Sequence, residues 1–223
     1  MNIEYYNDGY PYIVIDDLYP YDKLDLIWRE IDFLMDGDKL DHPEKTSSAR
    51  DNSGLKKKNK GVFLGDVYSD LKYSNICQCN KKIFKKFPEI MLGSDSWFFS
   101  SLGSNPSIIN DCQSLLSYYD EGDYYKPHWD FARITMCIWL YKEPKGFYGG
   151  DFILNPKETD LSNEMYPTKT IELKNNRAVI FPGMILHGVT PVKMNTHFAN
   201  TNFGIGRFTI TNFLTTEMLQ PHK

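Results

Sequence analysis

Tyr118 to Arg133 reads YYDEGDYYKPHWDFAR, and His128-Trp129-Asp130 stands at its centre. Residues two apart on an extended strand face the same side. A His and an Asp at this spacing can therefore grip one metal ion from one strand, provided a third ligand comes from elsewhere. The chain holds five histidines: His42, His128, His187, His197 and His222. His187 follows RAVIFPGMIL and precedes GVTPV, a strand-turn-strand context that holds an imidazole firmly. The competing candidate, His197, sits in KMNTHFANTNFGIG, a loop-like stretch with little to fix a side chain.

Outward from this stretch, strand signals continue. SLLSYY, ARITMCIWLY, GDFIL, TIEL, RAVIFP, HGVTPV and RFTITNFL are short runs of β-branched and aromatic residues, punctuated by Gly, Pro and Asn. Towards the N-terminus, PYIVI (Pro11 to Ile15) predicts a first strand. Leu24, Ile27, Trp28, Ile31 and Leu34 recur at three and four residues and predict a helix over Asp22 to Met35. A second helix is expected from about Ser69 to Phe87. Between them, Gly37 to Lys60 is poor in aliphatic residues and ends in KKKNK. It predicts a long mobile loop, either a solvated excursion or a lid over substrate. The fold class is α+β and mainly β, one domain over 1–223. Helical support over about 1–96 precedes a strand-rich barrel or sandwich over about 97–215.

Composition narrows the function. Lys and Arg number 25 against 29 Asp and Glu, for a net charge of −4. Nucleic acid needs clustered cations, so no nucleic-acid partner is expected. The four cysteines, Cys77, Cys79, Cys112 and Cys137, form no CxxC pair, and free thiols in a reducing compartment are expected. No signal peptide or membrane-spanning run is visible, which predicts a cytoplasmic protein. The oligomeric state is left open.

Two histidines and one carboxylate on one face, with other positions open, is the arrangement of non-haem iron(II) oxygenases. Arg207 adds to it. Alternation along RFTITNFL puts Arg207, Thr209, Thr211 and Phe213 on one face. A guanidinium turned into a barrel is costly unless it meets an anion, and Arg suits a carboxylate through two parallel hydrogen bonds. That anion is either an internal Asp or Glu or the far carboxylate of a bound dicarboxylate.

YYDEGDYYKPHWDFAR resembles the iron-binding segment of the prolyl 4-hydroxylase-like branch of the 2-oxoglutarate/Fe(II)-dependent oxygenases. Gly122, Tyr125, His128, Asp130 and Phe131-Ala132-Arg133 take the places of that branch's motif. Gly149, Gly150 and Asp151 resemble its Gly-Gly-acidic segment; RAVIFPGMILHGVTPV resembles the strand and turn carrying the distal histidine. RFTITNFL resembles the strand carrying the basic residue.

The resemblance implies a double-stranded β-helix, a jelly-roll or cupin-like barrel with N-terminal helices packed on one sheet. It implies Fe(II) held by His128, Asp130 and His187. It also implies 2-oxoglutarate anchored by Arg207 and touched by Tyr119 or Tyr118, with Thr211 beside the metal. The collagen-type enzymes place the tyrosine where Tyr119 stands, and oxygen-sensing relatives where Tyr118 stands. Trp139 occupies the place of a cosubstrate-binding Tyr and offers one N–H donor.

The gap from His187 to Arg207 is twenty residues, about twice what the family places there. Lys193 is accordingly a rival anchor. The implied reaction is hydroxylation of an unactivated C–H bond, most of all in a prolyl residue of a peptide or protein, with release of succinate and carbon dioxide. Ascorbate is implied as an accessory reductant. The alternatives are hydroxylation of a free amino acid or other small metabolite, and a non-catalytic binding module.

Overall fold

Strand β8 (Ile134–Leu140) is buried along its whole length. Its residues part by period two. Ile134, Met136, Ile138 and Leu140 join a large apolar cluster with the helices, whereas Cys137 and Trp139 join a second cluster on the other face. Fully burying one such aliphatic side chain stabilises the fold by about 1.5–3 kcal/mol. A strand with two buried faces therefore belongs at the centre of a sheet.

The computed structural model describes residues 1–36, 39–47, 49–157, 167–195 and 204–216. Around β8 lie β1 (Asn2–Tyr6), β2 (Tyr12–Asp16), β5 (Lys60–Phe63), β6 (Asp111–Tyr119), β12 (Arg177–Pro182) and β15 (Arg207–Thr215). They form an antiparallel seven-stranded sheet in the order β1-β2-β12-β8-β15-β6-β5. A four-stranded sheet comprises β7 (Tyr125–His128), β10 (Phe152–Leu154), β11 (Lys169–Ile171) and β13 (His187–Val189), ordered β11-β10-β13-β7. Trp139, Val179 and Phe181 of the large sheet meet Phe152, Leu154 and Val189 of the small one. Two strand pairs complete the set: β9 (Phe147–Gly149) with β14 (Val192–Met194), and β3 (Arg50–Asp51) with β4 (Gly54–Leu55).

Helices cover the other face of the large sheet. α1 (Tyr21–Met35) buries Ile27, Ile31 and Leu34, in agreement with the expected spacing. α4 (Asn75–Phe84) buries Ile76, Cys79 and Ile83. The Glu30 carboxylate joins them, accepting from Ser74 Oγ at 2.6 Å and Ile76 N at 2.9 Å. A carboxylate at a helix N-terminus satisfies otherwise orphaned donors. All four cysteines are free. No described helix is long and apolar enough to cross a membrane.

The structure departs from the sequence expectations in three places. The single helix expected over 69–87 is divided into a 3-10 turn (Leu71–Tyr73), α4 and α5 (Phe87–Leu92), because Pro88 must sit in the first turn of a new helix. Trp97 does not begin the strands: Trp97–Ser104 is helix α6, with Phe99, Leu102 and Gly103 buried, and the next strand of the large sheet after β5 starts at Asp111. Aromatic content was the misleading signal there, since helical spacing governs.

Most of 37–60 is ordered by the rest of the chain. It contains α2 (Pro43–Thr46), β3 and β4. Its backbone is tied down by Lys58 N to Tyr124 O at 3.1 Å and by the reciprocal pair of Asp41 and Gly61. Composition alone could not reveal hydrogen bonds to distant strands. Beyond Phe63, α3 (Leu64–Val67) adds one short turn.

Candidate metal centre

His128 closes β7 and His187 opens β13, and the two are register partners across the small sheet. Each ring is oriented the same way. His128 Nδ1 lies 2.9 Å from Lys126 O, and His187 Nδ1 lies 2.9 Å from Ile185 O. A carbonyl only accepts, so each Nδ1 carries the proton and each Nε2 presents its lone pair. Tyr125 stacks on His128 with centroids 3.5 Å apart and planes within 11°, and Phe181 meets His187 edge-on at 4.8 Å.

Asp130 lies just past the end of β7, not within the strand as its spacing suggested. It is fixed by its N–H to Gly183 O (2.8 Å) and by Thr135 Oγ donating to Oδ2 (2.7 Å). Gly183 is required at this crossing, since a Cβ there would stand 2.3 Å from Ala132 O. Asp130 Oδ1 lies 3.7 Å from His128 Nε2, and Oδ2 lies 3.3 Å from His187 Nε2. One ligand atom from each residue falls within 4.8 Å of the others. Burial, helped by the neighbouring imidazole, pushes His128 down to about 3. Burial would raise the Asp130 carboxyl, but the two imidazoles and Thr135 outweigh it and hold it at about 2. Two imidazoles presenting Nε2 lone pairs beside a carboxylate are the donor set that a divalent iron takes.

Arg207 opens β15 and is fully buried. Its Nη1 donates to Thr209 Oγ1 at 2.6 Å, while Nε and Nη2 have no hydrogen-bond partner among the described residues. Among the described residues no carboxylate lies within ion-pair distance of it, so the internal-anion alternative has no candidate there. Burial pushes the guanidinium down from its usual range. Gly150 makes room for this side chain: a Cβ there would stand 3.0 Å from Arg207 Cδ.

Arg207, Tyr119, Thr209, Thr211 and Phe213 line a narrow cavity that also reaches His128, Asp130 and His187. Tyr119 pairs with Arg207 in the β15–β6 register, and the guanidinium carbon sits 4.8 Å from its ring centroid. Tyr118, one residue away, faces the helices and packs on Phe208. Its hydroxyl accepts from Gly204 N and Gly206 N. The structure thus separates the two tyrosines and keeps Tyr118 away from the cavity. Trp139 is fully buried against the Arg207 guanidinium at 5.8 Å but does not line the cavity, and its Nε1 has no partner among the described residues. Lys193 is exposed on β14, so it is not beside Arg207's cavity. His197 lies outside the described residues.

The cavity opens into a cleft of about 800 Å³. Trp129 and Phe131 line it from one side, and Glu44, Thr46, Ser47, Arg50 and Lys56 from the other. The segment expected as a loop is therefore a wall of the site. Arg133 does not line the cleft; its Nε donates to Thr216 Oγ1. Sequence reasoning missed Thr46, Ser47 and Lys57. Ser47 hydrogen-bonds the Tyr125 hydroxyl at 2.8 Å, and Lys57, 3 % exposed, is pushed down to about 8 by burial. A lysine run reads as a solvated surface, and nothing in its pattern marks the one that turns inward.

Residues 114–215 match the sequence model of the 2OG-Fe(II) oxygenase superfamily. An uncharacterised PKHD-type hydroxylase of Synechocystis is 26% identical over 149 residues, which cover 62% of this chain and 45% of that protein. The chain thus spans less than half the length of that curated relative. A prolyl-4-hydroxylase of Pseudomonas putida superposes with a TM-score of 0.56 at 13% identity, over 95% of this chain and 94% of the other. A prolyl hydroxylase of Trichoplax adhaerens, solved with a peptide fragment of the hypoxia inducible factor oxygen degradation domain, superposes with a TM-score of 0.58 at 13% identity. That match covers 94% of this chain and 84% of the other. Likeness at this identity concerns the fold, and the two facing antiparallel sheets are the double-stranded β-helix.

Proposed function

From the premise that the chain belongs to the 2OG-Fe(II) oxygenase superfamily, we propose that it is a 2-oxoglutarate-dependent hydroxylase acting on a prolyl residue of a peptide or protein. One observation carries the cosubstrate: a fully buried guanidinium whose Nε and Nη2 have no partner among the described residues, lining the cavity that holds the His-Asp-His set. A dicarboxylate spans such a cavity with one end on the arginine and the other towards the metal ligands.

The residues divide the work. His128, Asp130 and His187 would hold Fe(II), their rings aimed by the carbonyls of Lys126 and Ile185. Thr209 engages Nη1 and leaves the rest of the Arg207 fork for the far carboxylate of 2-oxoglutarate. Phe152, Val189 and Phe213 line the cavity with apolar surface and keep water from it. When bound, the iron supplies the redox chemistry that couples decarboxylation of 2-oxoglutarate, to succinate and carbon dioxide, with oxygen insertion into a C–H bond. The open cleft with its exposed Trp129 and Phe131 suits an extended polypeptide better than a small metabolite.

Succinate formation from 2-oxoglutarate with Fe(II), oxygen and ascorbate tests the proposal, in wild type and in His128→Ala. Ascorbate is included as the reductant expected to restore oxidised iron. Turnover stimulated by proline-containing peptides and lost in the variant is the expected result. Stimulation by free amino acids alone would move the target to a small molecule. No succinate from protein shown to bind iron would overturn the cosubstrate assignment.

A further inference from the structure

Thr46 ends α2, is 8 % exposed, and lines both the outer cleft and the inner cavity. The Lys57 ammonium donates to Thr46 Oγ1 at 2.8 Å. Lys57 is as buried as the core, and among the described residues no carboxylate lies within ion-pair distance of it. Its nitrogen stands 5.7 Å from the centroid of the Tyr125 ring, the ring that stacks on His128.

An ammonium has donors and no acceptor. The Thr46 oxygen is therefore the accepting partner, and the single hydrogen of its hydroxyl must be directed elsewhere. Among the described residues that hydrogen meets no acceptor. A buried donor left without a partner is costly, and the open side of Thr46 is the junction of cleft and cavity.

We infer that Thr46 donates a hydrogen bond to a carbonyl oxygen of the substrate peptide, and that Lys57 is the positioning residue that fixes the hydroxyl as a donor. This rests on the peptide-hydroxylase reading. Proline carries no backbone N–H, so a proline-rich segment presents carbonyl acceptors only and can be hydrogen-bonded only by donors of the protein. The neighbouring Lys56 ammonium donates one hydrogen bond to Pro127 O at 2.8 Å and lines the outer cleft, whereas Thr46 lines both the cleft and the cavity. Thr46 has its hydrogen to give.

Binding of poly(L-proline) tests this without turnover. The protein is loaded with manganese(II) and 2-oxoglutarate, and the fluorescence of Trp129, which lines the cleft, reports the titration. Thr46→Val keeps the shape and removes the hydroxyl, and is expected to bind about tenfold more weakly. Thr46→Ser keeps the hydroxyl and should stay within about twofold of wild type, whereas Lys57→Met should lose roughly threefold. Manganese uptake and thermal melts of each variant establish that it is folded. Equal binding by wild type and Thr46→Val overturns the inference and leaves the peptide reading intact. Equal loss in Thr46→Val and Thr46→Ser also overturns it, since only packing would then be at stake. Wild-type binding by Lys57→Met removes the positioning role. A wild type that does not bind poly(L-proline) overturns the prolyl reading and this inference together.

Discussion

Arg177 and Arg207 each open a strand of the same sheet, and both are buried, yet their surroundings are opposite. Arg177 gives Nε and Nη2 to the two oxygens of Asp16, at 2.5 and 2.9 Å, and Nη1 to Glu172 O at 2.9 Å. Asp16 raises the guanidinium further above its usual range. Arg207 has Thr209 and, among the described residues, no carboxylate within ion-pair distance, and burial pushes it the other way. One arginine completes the fold. The other carries a buried charge with no carboxylate within ion-pair distance among the described residues, which is what the proposed anchor for a ligand's carboxylate requires.

Exchanging the two for methionine should break the comparison in opposite senses. Arg207→Met is expected to weaken 2-oxoglutarate binding by roughly a hundredfold or more, the loss that goes with truncating one side of a buried charge pair. Its thermal stability should hold or rise, because an unpaired buried charge is gone. Arg177→Met should instead lower stability by about 1–3 kcal/mol while leaving cosubstrate affinity near wild type. Titration calorimetry beside thermal melts checks both. A destabilised Arg207→Met would return that residue to a structural role.

The metal set gives the next largest effect. Manganese(II) at a hundred times its dissociation constant should stabilise the wild type by about 2.7 kcal/mol, and Asp130→Ala should lose this gain. Melting curves with and without the ion decide it; an undiminished shift in the variant would place the ion elsewhere.

A smaller effect follows from acid. Arg177 holds Asp16 below its ordinary value by hydrogen bonding and charge, against the opposing effect of burial. The folded protein then takes up this proton less readily than the unfolded chain. The stability Asp16 contributes is present above the ordinary carboxylate value, near 4, and is lost as pH falls through its lower folded value. In Arg177→Met this part of the acid slope should shrink to what the neighbouring Lys174 sustains, and in Arg207→Met it should persist in full, as pH-dependent denaturant titrations would reveal.

The smallest contrast separates adjacent tyrosines. Tyr119→Phe should weaken 2-oxoglutarate binding by a few-fold, whereas Tyr118→Phe should cost about 1 kcal/mol of stability with affinity unchanged. The reverse pattern would mean that the face assignment fails in solution.

Why the sequence could not separate these two tyrosines is instructive. Neighbours on a strand point to opposite faces, and the motif alone does not say which face holds the cavity. The Arg207–Tyr119 register supplies that information, and it belongs to pairing across strands. The His-Asp-His cluster was legible because its signals are local: a two-residue spacing for His128 and Asp130, and a buried strand before His187. Even there, Asp130 reaches the centre from a turn pinned by Gly183 and Thr135. The alternating apolar runs of β8, β12 and β15 gave the barrel for the same local reason. Residues 43–47 and 49–57 were illegible because the flanking backbone bonds of Asp41 to Gly61 and of Lys58 to Tyr124, and the inward turn of Lys57, hold the segment in place. None of these leaves a periodic trace.

The stacked ring of Tyr125 has a mechanical consequence. One of its faces lies on His128 and its hydroxyl is tied to Ser47. The wall of the cleft and His128, the proposed metal ligand, therefore behave as one linkage, with the tyrosine as its lever arm. Grafting another wall onto this barrel to change its substrate would transmit every misfit at Ser47 to the imidazole. Such chimeras should fail first in metal affinity, before any change of specificity could be read.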